Sequence, residues 1–187
     1  VYAMGGEPLC AIALCVLPKE LSPEVDRGLP LVAAYPGYCL GPGDVYLSSM
    51  RVLDLQRRYP MLAVLDGGMA FVDVRDVATG LILAQDKGEL GRRYLLTGRN
   101  LTWYELFTWS AHLLGKARPR FVLPREGSGA LLGLVERLWR DAPVDRASAE
   151  VMGRYYYYDD GRARRELGFV TRPFADTMRD AIGDVYA

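Results

Sequence analysis

Apolar residues fall in short runs punctuated by glycine, proline and charge, and the spacing inside the runs alternates between strand and helix periods along most of the chain. Residues 29–35, Leu-Pro-Leu-Val-Ala-Ala-Tyr, are continuously apolar and predict a strand buried on both faces, ended by Pro36-Gly37. A turn at Gly41-Pro-Gly-Asp44 leads into a helix expected over residues 46–59, with Met50, Leu53 and Leu55 inward and a stop before Pro60. Gly67-Gly68 reads as a turn into a short strand over residues 70–73. Asp76 is then expected to N-cap a helix whose inward members are Val77, Leu81 and Ala84, closed by Gly88.

The same alternation continues downstream. Residues 93–97 predict a strand, and Thr102-Trp-Tyr-Glu105 is a capping box, because Thr102 can accept from the Glu105 backbone while Glu105 reaches back to the cap. The helix it opens is expected to run to Gly115 with Trp103, Leu106, Phe107, Ala111 and Leu114 inward, which leaves His112 in solvent. A strand over 120–124, a helix over 130–140, a short helix over 160–167 closed by Gly168 and a last helix from Pro173 complete the pattern. No internal repeat or long linker interrupts it. The expectation is one α/β unit over residues 1–187.

Composition narrows the function classes. Twenty-three basic residues balance twenty-three acidic ones without clustering, which excludes the electrostatic footprint of a nucleic-acid binder. Cys10, Cys15 and Cys39 lack Cys-x-x-Cys spacing, and with His112 as the only histidine they make no zinc site. Reduced thiols point to a cytoplasmic protein. The apolar run at 9–17 follows Glu7 without any Lys or Arg, precedes the poor cleavage site Pro18-Lys19, and is far shorter than the about 20 residues a membrane span needs. A membrane role is therefore not expected. A start at Val1 instead of Met reads as a fragment or a processed product.

The chemistry turns on two questions. A dinucleotide loop needs closely spaced glycines between strand and helix and an acidic residue about 20 positions later on a second strand. Gly127-Ser-Gly-Ala-Leu-Leu-Gly133 is the one candidate, but Asp145 lies in a polar stretch with no strand to carry it, so a turn and helix start is the better reading. Asp73-Val-Arg-Asp76 pairs two carboxylates around an arginine; local fold-holding contacts are the expectation there.

Pro36-Gly-Tyr-Cys-Leu-Gly-Pro-Gly-Asp44, followed by Gly67-Gly-Met-Ala-Phe-Val-Asp-Val-Arg-Asp-Val-Ala78, resembles the second half of an extended short-chain dehydrogenase/reductase. The branch is the one that includes dihydroflavonol 4-reductase-like and NAD-dependent epimerase/dehydratase proteins. Tyr155-Tyr-Tyr-Tyr-Asp-Asp160 and Ala163-Arg-Arg-Glu-Leu-Gly-Phe169 extend the likeness, which runs from about Arg27 to the C-terminus; residues 1–26 match poorly.

The resemblance implies a partial Rossmann-type parallel sheet with the substrate-binding region of such an enzyme, an NAD or NADP cofactor, a small-molecule substrate, and hydride transfer at a carbinol or ketone. It puts Pro36 and Cys39 against the nicotinamide ring, brings Ser48 and Ser49 within reach of a cofactor phosphate, and assigns Tyr38, Tyr155 and Tyr157 to the substrate side. The family's glycine-rich loop and Tyr-x-x-x-Lys pair are not found: the lysine upstream of Gly28 is Lys19, and four residues before it stands Cys15. No catalytic residue is assigned, and the isolated chain is expected to be inactive. A non-catalytic binding or regulatory protein on the same fold, or a truncated gene product, stays open beside the enzyme reading, and the open edge of the sheet leaves homodimerisation open too.

Overall fold

The computed structural model describes residues 32–46, 49–124 and 151–186. Cys10, Cys15, Lys19, Ser48, the glycine segment 127–133, the helix expected over 130–140 and Asp145 lie outside the described residues.

The described elements in chain order are strands β1 (Ala33–Pro36) and β2 (Tyr38–Leu40), helix α1 (Arg51–Arg58), strands β3 (Ala63–Leu65) and β4 (Gly68–Asp73), helix α2 (Val74–Lys87), strands β5 (Arg93–Leu96) and β6 (Arg99–Thr102), helix α3 (Trp103–Leu113), strands β7 (Phe121–Leu123) and β8 (Tyr155–Tyr156), a π-helical turn (Ala163–Leu167) and helix α4 (Phe174–Tyr186). β1 pairs in parallel with β5, and β3 with β7. β4 carries a mixed sheet: β2 and β8 run parallel to it, with Tyr38 opposite Phe71 and Tyr155 opposite Gly68, and β6 runs antiparallel, with Arg99 opposite Phe71. The mixed α/β class with parallel sheets is the expected one.

Two apolar cores meet at β4, because successive side chains of a strand point to opposite faces. Phe71 joins Leu40, Leu53, Trp103, Phe107 and Met178 in a core walled by α1, α3 and α4. Its neighbour Val72 joins Ala34, Val77, Tyr94, Leu96 and Phe169 in a second core under α2 and the π-helical turn. With Phe71 0% and Val72 2% exposed, β4 is covered on both faces. This is why its sequence, Gly-Met-Ala-Phe-Val-Asp, shows no polar alternation.

Two glycines make the crossing at β4 possible. A Cβ at Gly37 would stand 2.5 Å from the Ala70 carbonyl oxygen, and one at Gly98 would stand 2.6 Å from that of Phe71. The chain therefore leaves β1 at Gly37, whose N–H still bonds Leu96 O at 3.1 Å, and re-pairs as β2 on a different strand.

Several expectations shift in detail. The strand expected to end at Pro36-Gly37 resumes as β2, since Gly37 changes partner instead of turning the chain. Gly67-Gly68 is not simply a turn: Gly68 opens β4, and both backbones are packed by the chain around Met152–Arg154 or by Leu101 and Tyr157. α1 begins at Arg51, five residues later than expected; just before it the Asp44 carboxylate accepts from the N–H groups of Ser49 and Met50, each at 2.9 Å. The N-cap of α2 is Asp73, which accepts from Arg75 N at 2.8 Å, and not Asp76, which lies inside the first turn. Strands β3 and β6 were not marked by periodicity, being three and four residues long. The Thr102–Glu105 capping box, the exposed His112 and the stops at Gly88 and Gly168 agree with the pattern.

Replacing Gly37 by Ala should destabilise the fold by about 1–3 kcal/mol, because the methyl meets backbone that cannot yield. Gly183, in α4 with nothing within 4 Å of a built Cβ, is the control. Its alanine variant should gain up to about 1 kcal/mol. Urea unfolding of the two variants against the parent checks both signs.

Candidate functional site

The segment from Pro36 to Asp44 leaves the C-terminal end of a parallel strand, the position at which open α/β sheets hold their ligands. It is locked from both ends. Asp44 accepts from the Ser49 and Met50 N–H groups just ahead of α1, and the Tyr38 hydroxyl donates to the Ser49 carbonyl at 2.8 Å. Gly41 (φ 142°) and Gly43 (φ 89°) supply the backbone conformations that this tight return needs.

Tyr38 and Ser49 are thus brought together. The Tyr38 ring stands edge-on to Phe71 and Trp103, with centroids 5.4 and 6.0 Å away, so its body belongs to the first core. Burial, the Asp44 charge and Cys39 push its phenol up to about 12. It keeps its proton as a hydrogen-bond donor and is no general base near neutral pH. Pro36 and Cys39 are half-buried, and Cys39 packs against the second core while its thiol approaches the Gly37 carbonyl at 3.5 Å. The Ser49 N–H and carbonyl are both engaged, which leaves its hydroxyl as the group to offer a ligand.

Tyr155 and Tyr157 lie elsewhere along the same strand. β8 meets β4 at Gly68 and Met69, whereas β2 meets it from Phe71 onward, a separation of three residues or roughly 10 Å. Their segment is pinned by Asn100, whose amide donates to the Tyr158 carbonyl at 3.1 Å and accepts from its N–H at 3.2 Å. The Tyr155 hydroxyl donates to Asp66; that hydrogen bond, then burial and the Asp66 charge, push it up to about 12. Burial, then Glu105 and Asp66, also raise Tyr157.

A charge cluster that spacing alone did not reveal fastens the C-terminal segment beneath α2. Asp76 accepts from Arg172 N at 2.9 Å and Arg172 Nε at 2.8 Å, and Arg75 bridges Asp73 and Asp180 at 2.8 Å each. Arg172 also approaches Asp73 at 3.5 Å. Burial acts to raise the Asp73 carboxyl, but hydrogen bonds from Arg75 and Thr177 and the Arg172 charge outweigh it and hold the group below the usual carboxylate range. A cleft of about 200 Å³ opens beside this cluster, between Gly98, Arg99 and Phe174. The local pairing expected for Arg75 is present; Asp76 acts on Arg172, almost a hundred residues away, and no sequence signal announces that. Among the described residues no group of His, Cys, Asp and Glu side chains is arranged to hold a metal ion, and no helix is long and apolar enough to cross a membrane.

No protein-family model matches the chain. Individual proteins do. The chain is 32% identical over 167 residues to the sterol demethylase protein B of Methylococcus capsulatus, across 85% of its own length and 51% of that protein's. A nucleoside-diphosphate-sugar epimerase from Pseudomonas aeruginosa is similar in structure with a TM-score of 0.73 and 32% identity, covering 88% of this chain and 50% of the other. The dTDP-glucose 4,6-dehydratase DesIV from Streptomyces venezuelae, solved with NAD and TYD bound, shares the fold at a TM-score of 0.57 and 21% identity, over 87% of this chain and 46% of that one. The chain therefore spans about half the length of the relatives it matches.

Asp73→Asn should cost about 1–3 kcal/mol at neutral pH, since it leaves buried donors without their carboxylate. A folded-state pKa below the unfolded value of about 3.9 gives stability that is present above that value and lost as pH falls through the lower folded one. The gap between parent and variant should hold from pH 7 to about 5 and close below about pH 4. Denaturation midpoints measured across that range test the expectation.

Proposed function

We propose, for a chain that belongs to the NAD-dependent epimerase/dehydratase group of the extended short-chain dehydrogenase/reductase family and fits its C-terminal portion, that it supplies one wall of a nicotinamide site and the substrate side of a hydride-transfer enzyme. The observation that carries the reading is the locked loop from Pro36 to Asp44 at the C-terminal end of a parallel strand.

A nicotinamide ring needs a flat apolar neighbour on one side. Pro36 and Cys39, both half-buried and without charge, fit that requirement. The cofactor, NAD or NADP, supplies the hydride acceptor or donor when bound. Ser49 offers a hydroxyl beside the loop, held in place by the Asp44 and Tyr38 contacts to its backbone; Ser48 is assigned the same role by the family likeness alone. These contacts keep the wall rigid, so that orientation is set before the ligand arrives.

The chain's own phenols are poor candidates for moving the proton that accompanies hydride transfer. Tyr38 and Tyr155 are both pushed up to about 12 and donate to the Ser49 carbonyl and the Asp66 carboxylate. No Tyr-x-x-x-Lys pair is present to take their place. Acid–base work thus falls to a family-type first half, and this chain binds, orients and shields. On the substrate side we assign Tyr155 and Tyr157, with Tyr38 acting from beneath the loop as its support. A small molecule bearing a carbinol or ketone is the substrate class, matching the reductases, epimerases and dehydratases among the relatives.

Calorimetric titration of the chain with NADH or NADPH should give an affinity no better than about millimolar, or about −4 kcal/mol, because only one wall of the site is present. Micromolar binding would overturn the division of labour. With a family-type first half restored and folding verified, Cys39→Trp should raise the nucleotide Kd at least about tenfold, about 1.4 kcal/mol, by filling the ring's space. Unchanged Kd and turnover in that variant would reduce Pro36 to Asp44 to a plain loop.

A further inference from the structure

The chain between the π-helical turn and α4, residues 168–173, passes from one core to the other: Phe169 is buried in the second, and Phe174 packs against the first. Where it crosses the end of β4, the cleft of about 200 Å³ opens between it and the link from β5 to β6. That volume is below the about 300–1,000 Å³ of sites for drug-sized molecules, so the fit is to a small ligand. None of Pro36, Cys39, Tyr155 and Tyr157 lines the cleft, so what it binds is independent of the roles proposed for them.

The acceptors on its walls are engaged. A carboxylate has about four acceptor sites. Asp73 takes Arg75 N and Nε on one oxygen and Arg75 Nη2 on the other, and Thr177 adds a further hydrogen bond. Asp76 takes Arg172 N on one oxygen and Arg172 Nε and Nη2 on the other. The donors are open instead. Arg99, exposed on β6 opposite Phe71, lines the cleft and pairs with no acid or carbonyl among the described residues. The Thr171 hydroxyl beside it is likewise unengaged, and Arg172 keeps Nη1. Formal charge on the walls balances, Asp73 and Asp76 against Arg99 and Arg172, so the selection comes from donors that lack acceptors. A guanidinium fork without a partner matches a carboxylate, which it can hold by two parallel hydrogen bonds. Phe174 adds an apolar side: its ring is half-buried and stands against Phe71 and Trp109, with centroids 6.4 and 6.0 Å away.

We infer that the cleft between Arg99 and the 168–173 crossing is a second binding site, which takes a small carboxylate carried on a flat apolar group. Arg99 holds the carboxylate, Thr171 donates to it, and Phe174 covers the apolar part. Benzoate is the probe, titrated into the nitrogen-15-labelled full chain and followed by NMR. It should shift the Arg99 Nε–H signal and the Thr171 and Phe174 amides along one saturable curve. Benzamide, which keeps the ring without the charge, and acetate, which keeps the charge without the ring, should each bind at least about tenfold more weakly. Arg99→Gln should weaken benzoate at least about tenfold as read on the Thr171 and Phe174 amides, and Arg99→Lys, which keeps the charge and loses the fork, should fall between it and the parent. Arg118→Gln, at an exposed position outside the cleft, should leave binding unchanged. Arg99 is itself exposed, so the variants should keep the parent spectrum elsewhere, and the comparison of the three probes on the parent chain needs no variant at all. The site fails if benzoate gives no saturable shift or if Arg99→Gln leaves its binding intact. The ligand class fails if benzamide or acetate binds as tightly as benzoate.

Discussion

The whole arrangement depends on one strand being covered from every direction. β4 pairs with strands along both edges and sends Phe71 into one core and Val72 into the other. Such a strand leaves no room for side chains where neighbouring backbone crosses it, and Gly37 and Gly98 meet that demand by bringing backbone against the Ala70 and Phe71 carbonyls. The partner change between β1 and β2 follows from the same constraint. So does the position of the turn from Gly41 to Asp44, which emerges where β2 has finished pairing with β4 at Asp73.

Polar contacts then fix what apolar packing leaves free. Burial of Met50, Leu53, Trp103 and Phe107 draws α1 against α3, but hydrophobic contact is not directional. Gln56 sets the register: its amide donates to the Phe107 carbonyl at 2.7 Å and receives the Ser110 hydroxyl, all within a buried interface. At the other end of the sheet, Asp73, Arg75, Asp76 and Arg172 do the equivalent for α4 and the strand end. A buried carboxylate is tolerated there because each one is matched by a guanidinium and by backbone N–H donors.

Among the described residues, the proposed role is that of a rigid surface. The Tyr38 and Tyr155 phenols hold their protons, the single described cysteine is half-buried against a core, and the exposed His112 faces solvent. What the chain offers instead is a loop whose backbone is tied at Asp44 and Ser49, and an aromatic pair pinned by Asn100. Preorganised walls of this kind contribute to catalysis by orientation, which requires stiffness more than nucleophilicity.

Local features were legible in the sequence wherever a residue acts on its near neighbours. The Thr102–Glu105 capping box spans three residues, the Gly88 and Gly168 stops act within one helical turn, and the face of α3 follows from its own period. The motif at Pro36 to Asp44 and the Tyr155 to Phe169 segment likewise identified the family, because each is contiguous. Tertiary structure decided the rest. That Gly68 begins a strand, that Asp73 instead of Asp76 caps α2, and that Arg172 belongs to Asp76 all depend on groups brought together by the fold across long stretches of sequence or by competing local caps. Sequence periodicity reports which face of an element is apolar. It carries no record of which backbone will press against a glycine or which distant guanidinium will claim a carboxylate, since those are set only when the two cores close on β4.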